Sequence, residues 1–194
     1  METTLHETLQ SLAAALKTNP EKLGTTYERF SAQQHRYLKD VKINLLNALH
    51  YATLSKKEAY LLALATSVNE KNSVFTSVFS DLATAENATE QEVLEAHACV
   101  SLMNTNNVFY RFRHFTNKAY YADSPAGIKM SIMLNPESGK EFFELMSLAV
   151  SALNGCELCV RSHEESLLKL GSTEQRVYDA VRLVSIVKGF LVLT

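Results

Sequence analysis

Helix breakers are scarce in this chain: three prolines and six glycines in 194 residues. Between them run long stretches rich in Ala, Leu, Glu and Lys, which are strong helix formers. A chain punctuated so rarely predicts an all-α fold. Apolar residues make up 46%, enough to build a core, and the length suits a single domain over 1–194. Net charge is −2, with acids and bases interspersed. No basic block or basic–aromatic stripe occurs, which argues against nucleic acid as a partner.

The start, METTLHETLQSLAAALKTNP, carries acids where a secretion signal carries bases. It also lacks an apolar run of about 7–15 residues. No stretch approaches the ~18–20 apolar residues that cross a bilayer. Three cysteines without framework spacing argue against a disulfide-stapled secreted domain. The expectation is a cytoplasmic protein without membrane attachment, in which a thiol pair stays reduced or cycles.

Apolar periodicity predicts a helix over 3–17, ending before Asn19-Pro20, and one long or two shorter helices over 25–53. Ser55-Lys56-Lys57-Glu58 reads as a capping box opening a helix over about 56–69. A further helix follows over about 72–84. Another begins near Thr89, and NNVFYRFRHFTNKAYY reads as an unusually aromatic helical segment. YADSPAGIKMSIMLNPES holds two of the three prolines and reads as a connector. Ser138-Gly139-Lys140-Glu141 reads as a second capping box opening FFELMSLAVSAL, and Ser172-Thr173-Glu174-Gln175 caps the last helix.

The chain also repeats itself. A shift of 83 lays KEAYLLALATSV on KEFFELMSLAVSA, and one residue more lays TEQEVLEAHACVS on TEQRVYDAVRLVS. This predicts two copies of one helical unit: repeat one over about 55–121, a connector over about 122–137, and repeat two over about 138–194. Residues 1–30 form a helical extension ahead of them. Under the shift of 83, Cys156 falls on Ser73, Cys159 on Thr76, His163 on Ser80 and Glu144 on Leu61. Only the second copy then carries reactive groups.

Those groups are concentrated in ALNGCELCVRSHEESLLKL, residues 152–170. Asn154-Gly155 precedes the run and Gly171 follows it, which predicts a helix with Cys156 in its first turn. On a helical wheel Cys156, Cys159 and His163 fall at about 0°, 300° and 340°, on one narrow stripe. Only a thiolate attacks, and a free cysteine near pKa ~8.5 is mostly protonated at neutral pH. The helix N-terminus favours charge at Cys156. His163, four residues beyond Cys159, lies within reach of that thiol. A carboxylate orienting the imidazole would complete a relay. Glu144 and Glu141 on the preceding helix are the candidates, and Glu144 stands out because FFELMSLAV is otherwise apolar. Glu164 and Glu165 fan out around the helix toward solvent.

Two plainer readings stand beside this one. Structural zinc wants four ligands, and Cys156, Cys159 and His163 supply three. Alternatively the cysteines are small core residues beside a satisfied histidine. Cys99 reads as a core residue, and His97, His114, His50 and His35 show no partner pattern. Phe109, Tyr110, Phe112, Phe115, Tyr120 and Tyr121 read as core or subunit interface, Arg111 and Arg113 as interface or surface charges, and Met130 and Met133 as packing.

FELMSLAVSALNGCELCVRSHEESLLKLG, together with NNVFYRF and IKMSIMLNP, resembles the AhpD group of alkyl hydroperoxidases in the carboxymuconolactone decarboxylase-like superfamily. The resemblance spans about residues 35–190 and rests on a Glu-x11-Cys-x-x-Cys-x-x-x-His arrangement. It implies an all-α fold with an internal repeat, assembled as homotrimers or hexamers. It implies reduction of organic hydroperoxides, service to a partner peroxiredoxin (AhpC), and recharging by dihydrolipoamide, with no bound cofactor or metal. Carried onto this chain, Cys159 becomes the thiolate oxidised to a sulfenic acid. Cys156 becomes the proton donor that then closes a Cys156–Cys159 disulfide. His163 and Glu144 become the proton relay. The chain departs from the group in carrying Leu158 where a histidine is usual, in its N-terminal extension, and in stopping soon after Gly189. The helix start still marks Cys156 as the thiol that outside dithiols reach first. The superfamily's lactone decarboxylase activity, which needs no thiol pair, is the alternative enzyme reading; a zinc-binding or purely structural oligomer is the other.

Overall fold

Side-chain capping sets four of the helix starts. Ser55, Asn72, Thr89 and Thr173 each accept a hydrogen bond from the backbone N–H three residues on, and Ser55 and Thr89 complete full capping boxes with Glu58 and Glu92. The computed structural model describes residues 5–194. In order they form α1 (Leu5–Ala15), α2 (Thr25–Ala32), α3 (Tyr37–Ala48), α4 (Lys56–Asn69), α5 (Ser73–Ala85), α6 (Glu90–Thr116), α7 (Ala119–Asp123), α8 (Lys140–Leu153), α9 (Glu157–Lys169) and α10 (Glu174–Leu191). Short 3-10 turns lie at Pro20–Leu23 and Ser131–Met133. No strand occurs among the described residues, and the fold is all-α as expected. The helix expected over 3–17 is α1, its first two positions lying outside the described residues. The stretch 25–53 is two helices, and the aromatic segment is helical as the end of the 27-residue α6 followed, past Asn117 and Lys118, by the start of α7.

The core forms around α4 and α8, which pack on each other while α6 and α10 each pack against both. α4 is buried without a break from Ala59 to Ser67, and α8 from Leu145 to Ser151. A helix apolar on every side belongs in the interior. Its few hydroxyls are satisfied locally: Thr66 and Ser67 donate to the carbonyls of Leu62 and Ala63. Phe75, Phe79, Phe143 and Phe190 are buried around this pair, each worth roughly 1.5–3 kcal/mol by transfer. Helices α1 to α3 pack together, and α3 lies on α10. The Tyr27 hydroxyl donates to the Phe190 carbonyl at 2.9 Å, and the two rings stack at 5.5 Å.

The helices also repeat at a constant spacing. The first residues of α4 and α8 (56 and 140), α5 and α9 (73 and 157), and α6 and α10 (90 and 174) all lie 84 apart. The helix-start positions Ser55 and Gly139, Asn72 and Cys156, Thr89 and Thr173 keep the same spacing. Side chains reciprocate across the repeat. Glu95 of α6 accepts from the Glu137 and Ser138 N–H groups ahead of α8. Asp179 of α10, 84 residues on, accepts from the Thr53 hydroxyl ahead of α4. This supports two copies of one three-helix unit.

The register differs from the shift of 83 in the first helix pair. Ser138 does not cap α8: its hydroxyl donates to Glu95, and Gly139, at φ +84°, takes the capping place with no side chain. At a spacing of 84, Cys156 stands opposite Asn72, Cys159 opposite Phe75, His163 opposite Phe79 and Glu144 opposite Tyr60. The first copy thus fills those places with buried aromatic rings and an asparagine cap.

Candidate active site

The turn between α8 and α9 places the thiols. Gly155, at φ +67°, lets its own N–H reach the Ala152 carbonyl and the Cys156 N–H reach the Ser151 carbonyl. That pair of bonds ends α8 in a Schellman motif, and the left-handed backbone it requires favours glycine. Cys156 leaves this turn as the residue that starts α9: it precedes the first turn instead of lying in it. Cys159 follows one turn in. Their Cα atoms are 5.3 Å apart and the structure joins the two sulfurs, within the spacing that bridged cysteines adopt.

His163 and Glu144 meet across the α8–α9 interface, the imidazole Nδ1–H donating to the carboxylate at 2.6 Å. Both side chains are mostly buried, at 13% and 18% exposure. With Nδ1 donating, a neutral ring keeps the Nε2 lone pair free to take a proton. Glu141, the other candidate, turns away and pairs with Arg176 at 2.9 Å. Glu165 pairs with Lys169 on the surface, and Glu164 is exposed.

Cys159 and His163 open onto one cleft of about 420 Å3. Tyr110, Met130, Met133 and Leu158 form its apolar walls; Asn106 and Ser162 add polar groups. Cys156 is sealed at 1% exposure, whereas Cys159 retains 7% and lines the cleft. Access therefore favours Cys159, contrary to the expectation that outside dithiols meet Cys156 first.

Several residues here were not anticipated as site residues. Arg111, expected at an interface or on the surface, donates to the Asn154 carbonyl at 2.7 Å. Asn107 donates to the Ser151 hydroxyl at 2.9 Å and accepts from the Asn154 amide at 2.9 Å. Together they pin the turn that presents Cys156. Met130 and Met133, expected as packing, line the cleft. The available signal was the pair Asn106-Asn107 on a helix otherwise apolar at that face, because buried amides need partners.

Cys99 is buried against the Ser147 hydroxyl at 3.5 Å. Burial, with the charges of Glu95 and Glu144, pushes its thiol up to about 12. Among the described residues no group of three or more His, Cys, Asp and Glu is placed to hold a metal ion, and no helix is long and apolar enough to cross a membrane.

Comparison with known proteins agrees with this geometry. Residues 121–193 match the Carboxymuconolactone decarboxylase family. The chain is 41% identical over 149 residues to the alkyl hydroperoxide reductase AhpD of Anaeromyxobacter dehalogenans, covering 76% of this chain and 79% of that one. This chain belongs to the AhpD family of alkyl hydroperoxide reductases. The AhpD proteins of Solibacter usitatus and Brucella canis are 37% and 36% identical over 154 residues each, 79% of this chain in both cases and 86% and 87% of theirs. The matched decarboxylase family takes in α8, α9 and α10, and so the stretch that holds Glu144, Cys156, Cys159 and His163.

Proposed function

We propose that the chain is a dithiol peroxidase that reduces organic hydroperoxides to alcohols. The carrying observation is that Cys159 and His163 share one apolar-walled cleft while Glu144 holds the far side of the imidazole. His163 takes the Cys159 proton, and the thiolate attacks the terminal peroxide oxygen. The S–O bond forms as the O–O bond breaks, leaving a sulfenic acid on Cys159 and an alkoxide that takes the Cys156 proton. The Cys156 thiolate then displaces hydroxide from the sulfenic sulfur, and the disulfide closes with loss of water. Helix N–H groups at the α9 start stabilise Cys156 as the thiolate.

Dihydrolipoamide recharges the enzyme by attacking Cys159, the sulfur open to the cleft. Cys156 leaves as a thiolate, and the second lipoyl thiol closes the lipoyl ring. The same open sulfur suits reduction of a partner peroxiredoxin, AhpC. A cycle that ends in external dithiols belongs in the reducing cytoplasm. Thiol count and mass before and after one equivalent of cumene hydroperoxide test the reading. The expected result is loss of two thiols with a two-dalton decrease. Unchanged thiols, or turnover surviving Cys159→Ser with reduced lipoamide, would refute it. The match to a decarboxylase family keeps one competitor: lactone turnover that survives alkylation of both cysteines favours that chemistry instead.

A further inference from the structure

Asn106 stands in the cleft with an amide that the fold uses only in part. Its side chain is 6% exposed. The Nδ2–H donates to the Met130 sulfur at 3.2 Å, and Oδ1 finds no donor among the described residues. A thioether is a weak acceptor, and a buried amide left this poorly paired costs about 1–3 kcal/mol.

The other copy shows what the scaffold itself accepts at this place. Eighty-four residues on from Asn106 is Phe190, and the residue in the first copy that matches Cys159 is Phe75. Those two rings meet edge to face at 4.7 Å. By the same relation Asn106 lies across from Cys159, and both line the one cleft. Of the two places related by the 84-residue spacing, one packs Tyr60, Phe75, Phe79 and Phe190, and the other carries Glu144, Cys159, His163 and Asn106. Three of those four polar replacements already belong to the proposed thiol relay, and the fourth has only the weak Met130 contact and an Oδ1 without a donor among the described residues.

We infer that Asn106 binds the peroxide group of the substrate. The inference rests on the peroxidase reading above. The amide N–H leaves the Met130 sulfur and donates to the oxygen that carries the alkyl group; Oδ1 accepts from the terminal O–H. As the Cys159 thiolate takes the terminal OH, the electron pair of the O–O bond passes to the alkyl-bearing oxygen. Asn106 holds that developing alkoxide until the Cys156 thiol protonates it. A donor aimed at charge that appears only in the transition state accelerates the chemical step without activating the thiol.

Single-turnover oxidation of the reduced protein by cumene hydroperoxide tests this, beside alkylation of Cys159 by iodoacetamide. Asn106→Leu removes both polar atoms at similar volume, and Asn106→Ala opens space instead of filling it. Both are expected to slow peroxide oxidation by about 10²-fold, near the loss of one oxyanion donor, with alkylation within about threefold of wild type. Peroxide oxidation that survives in either variant overturns the inference, and so does alkylation that falls in parallel, since Asn106 would then act on the thiol or the fold. A wild-type protein inert to hydroperoxide sinks the peroxidase reading with it. An active wild type and an unaffected variant sink the role of Asn106 alone.

Discussion

At the scale of single residues, the proposed chemistry turns on one bond between two helices, from the His163 Nδ1–H to Glu144. Glu144→Gln leaves the shape but makes the tautomer ambiguous, because the amide can donate as well as accept. Stopped-flow oxidation by cumene hydroperoxide is expected to slow about 10- to 100-fold. His163→Gln, which removes the base itself, is expected to slow it about 10²- to 10⁴-fold. Equal rates in all three proteins would remove the relay from the mechanism. Cys99 gives an internal control. Its burial, and a thiol pushed up to about 12, predict that iodoacetamide at pH 8 leaves Cys99 unmodified in the folded, reduced protein, as read by peptide mass spectrometry, and modifies it after denaturation. Cys156, Cys159 and His163 could be grouped from the sequence because helical spacing alone puts them on one face, whereas Glu144 reaches His163 only through the packing of α8 on α9. Local spacing could not choose between Glu141 and Glu144; Arg176, more than thirty residues on, makes that choice by taking Glu141. Asn106, Tyr110 and Arg111 come from α6, and their register against α9 is set by tertiary packing that no local pattern encodes.

At the scale of elements, Arg176 ties three helices at their starts. From α10 it reaches Glu58 on α4 at 2.5 Å, Glu141 on α8 at 2.9 Å, and the Thr53 carbonyl at 2.5 Å. Burial opposes the Arg176 charge, but the two carboxylates outweigh it and raise the guanidinium further. Burial likewise works against the Glu58 carboxylate, and the bonds from Arg176 and Ser55 outweigh it, holding Glu58 below the usual carboxylate range. A carboxyl with a lowered folded pKa adds stability that is fully present above its ordinary value and is lost as pH falls through the folded value. Arg176→Met leaves two carboxylates partly buried and facing each other. Urea unfolding at pH 7 is expected to show a loss of about 2–3 kcal/mol, below the range for a fully buried pair because these groups keep some solvent. At pH 4 the gap should narrow, since protonation relieves the unpaired carboxylates of the variant, while the advantage of the wild-type pair over the unfolded chain has begun to shrink below the ordinary carboxylate value. A gap that widens toward acid would contradict the assignment. Helix identity was otherwise readable from caps and breakers, with two exceptions of distinct origin. The Ser138 box failed because Glu95 competes for the same serine. The unbroken α6 was readable in principle, since no glycine or proline interrupts 89–116, but its sequence changes from core-facing to aromatic partway along.

At the scale of the whole molecule, the 84-residue spacing of the helices marks where the two halves part and where the surface remains unfinished. The two copies differ most in the length of their third helices: α6 has 27 residues and its counterpart α10 has 18. Beyond Asn107 the extra length of α6 has no buried residue. It carries Val108, Phe112 and Phe115 at 62%, 47% and 74% exposure, and Tyr120 of α7 stands at 77%. Aromatic side chains left this bare on adjoining turns are a cost in water and suit a protein interface. A trimer or hexamer, which the family resemblance implies, would cover them, and the cleft borders the same stretch through Tyr110. Phe112→Asp combined with Phe115→Asp places two charges on that face without touching the core. In sedimentation velocity, wild type is expected as a trimer or hexamer and the double variant as the 21.7 kDa monomer. Circular dichroism of the variant should keep its helical signal, because neither ring is buried in the fold. A wild-type monomer would remove the assembly altogether, and a double variant that stays assembled would move the interface to another face.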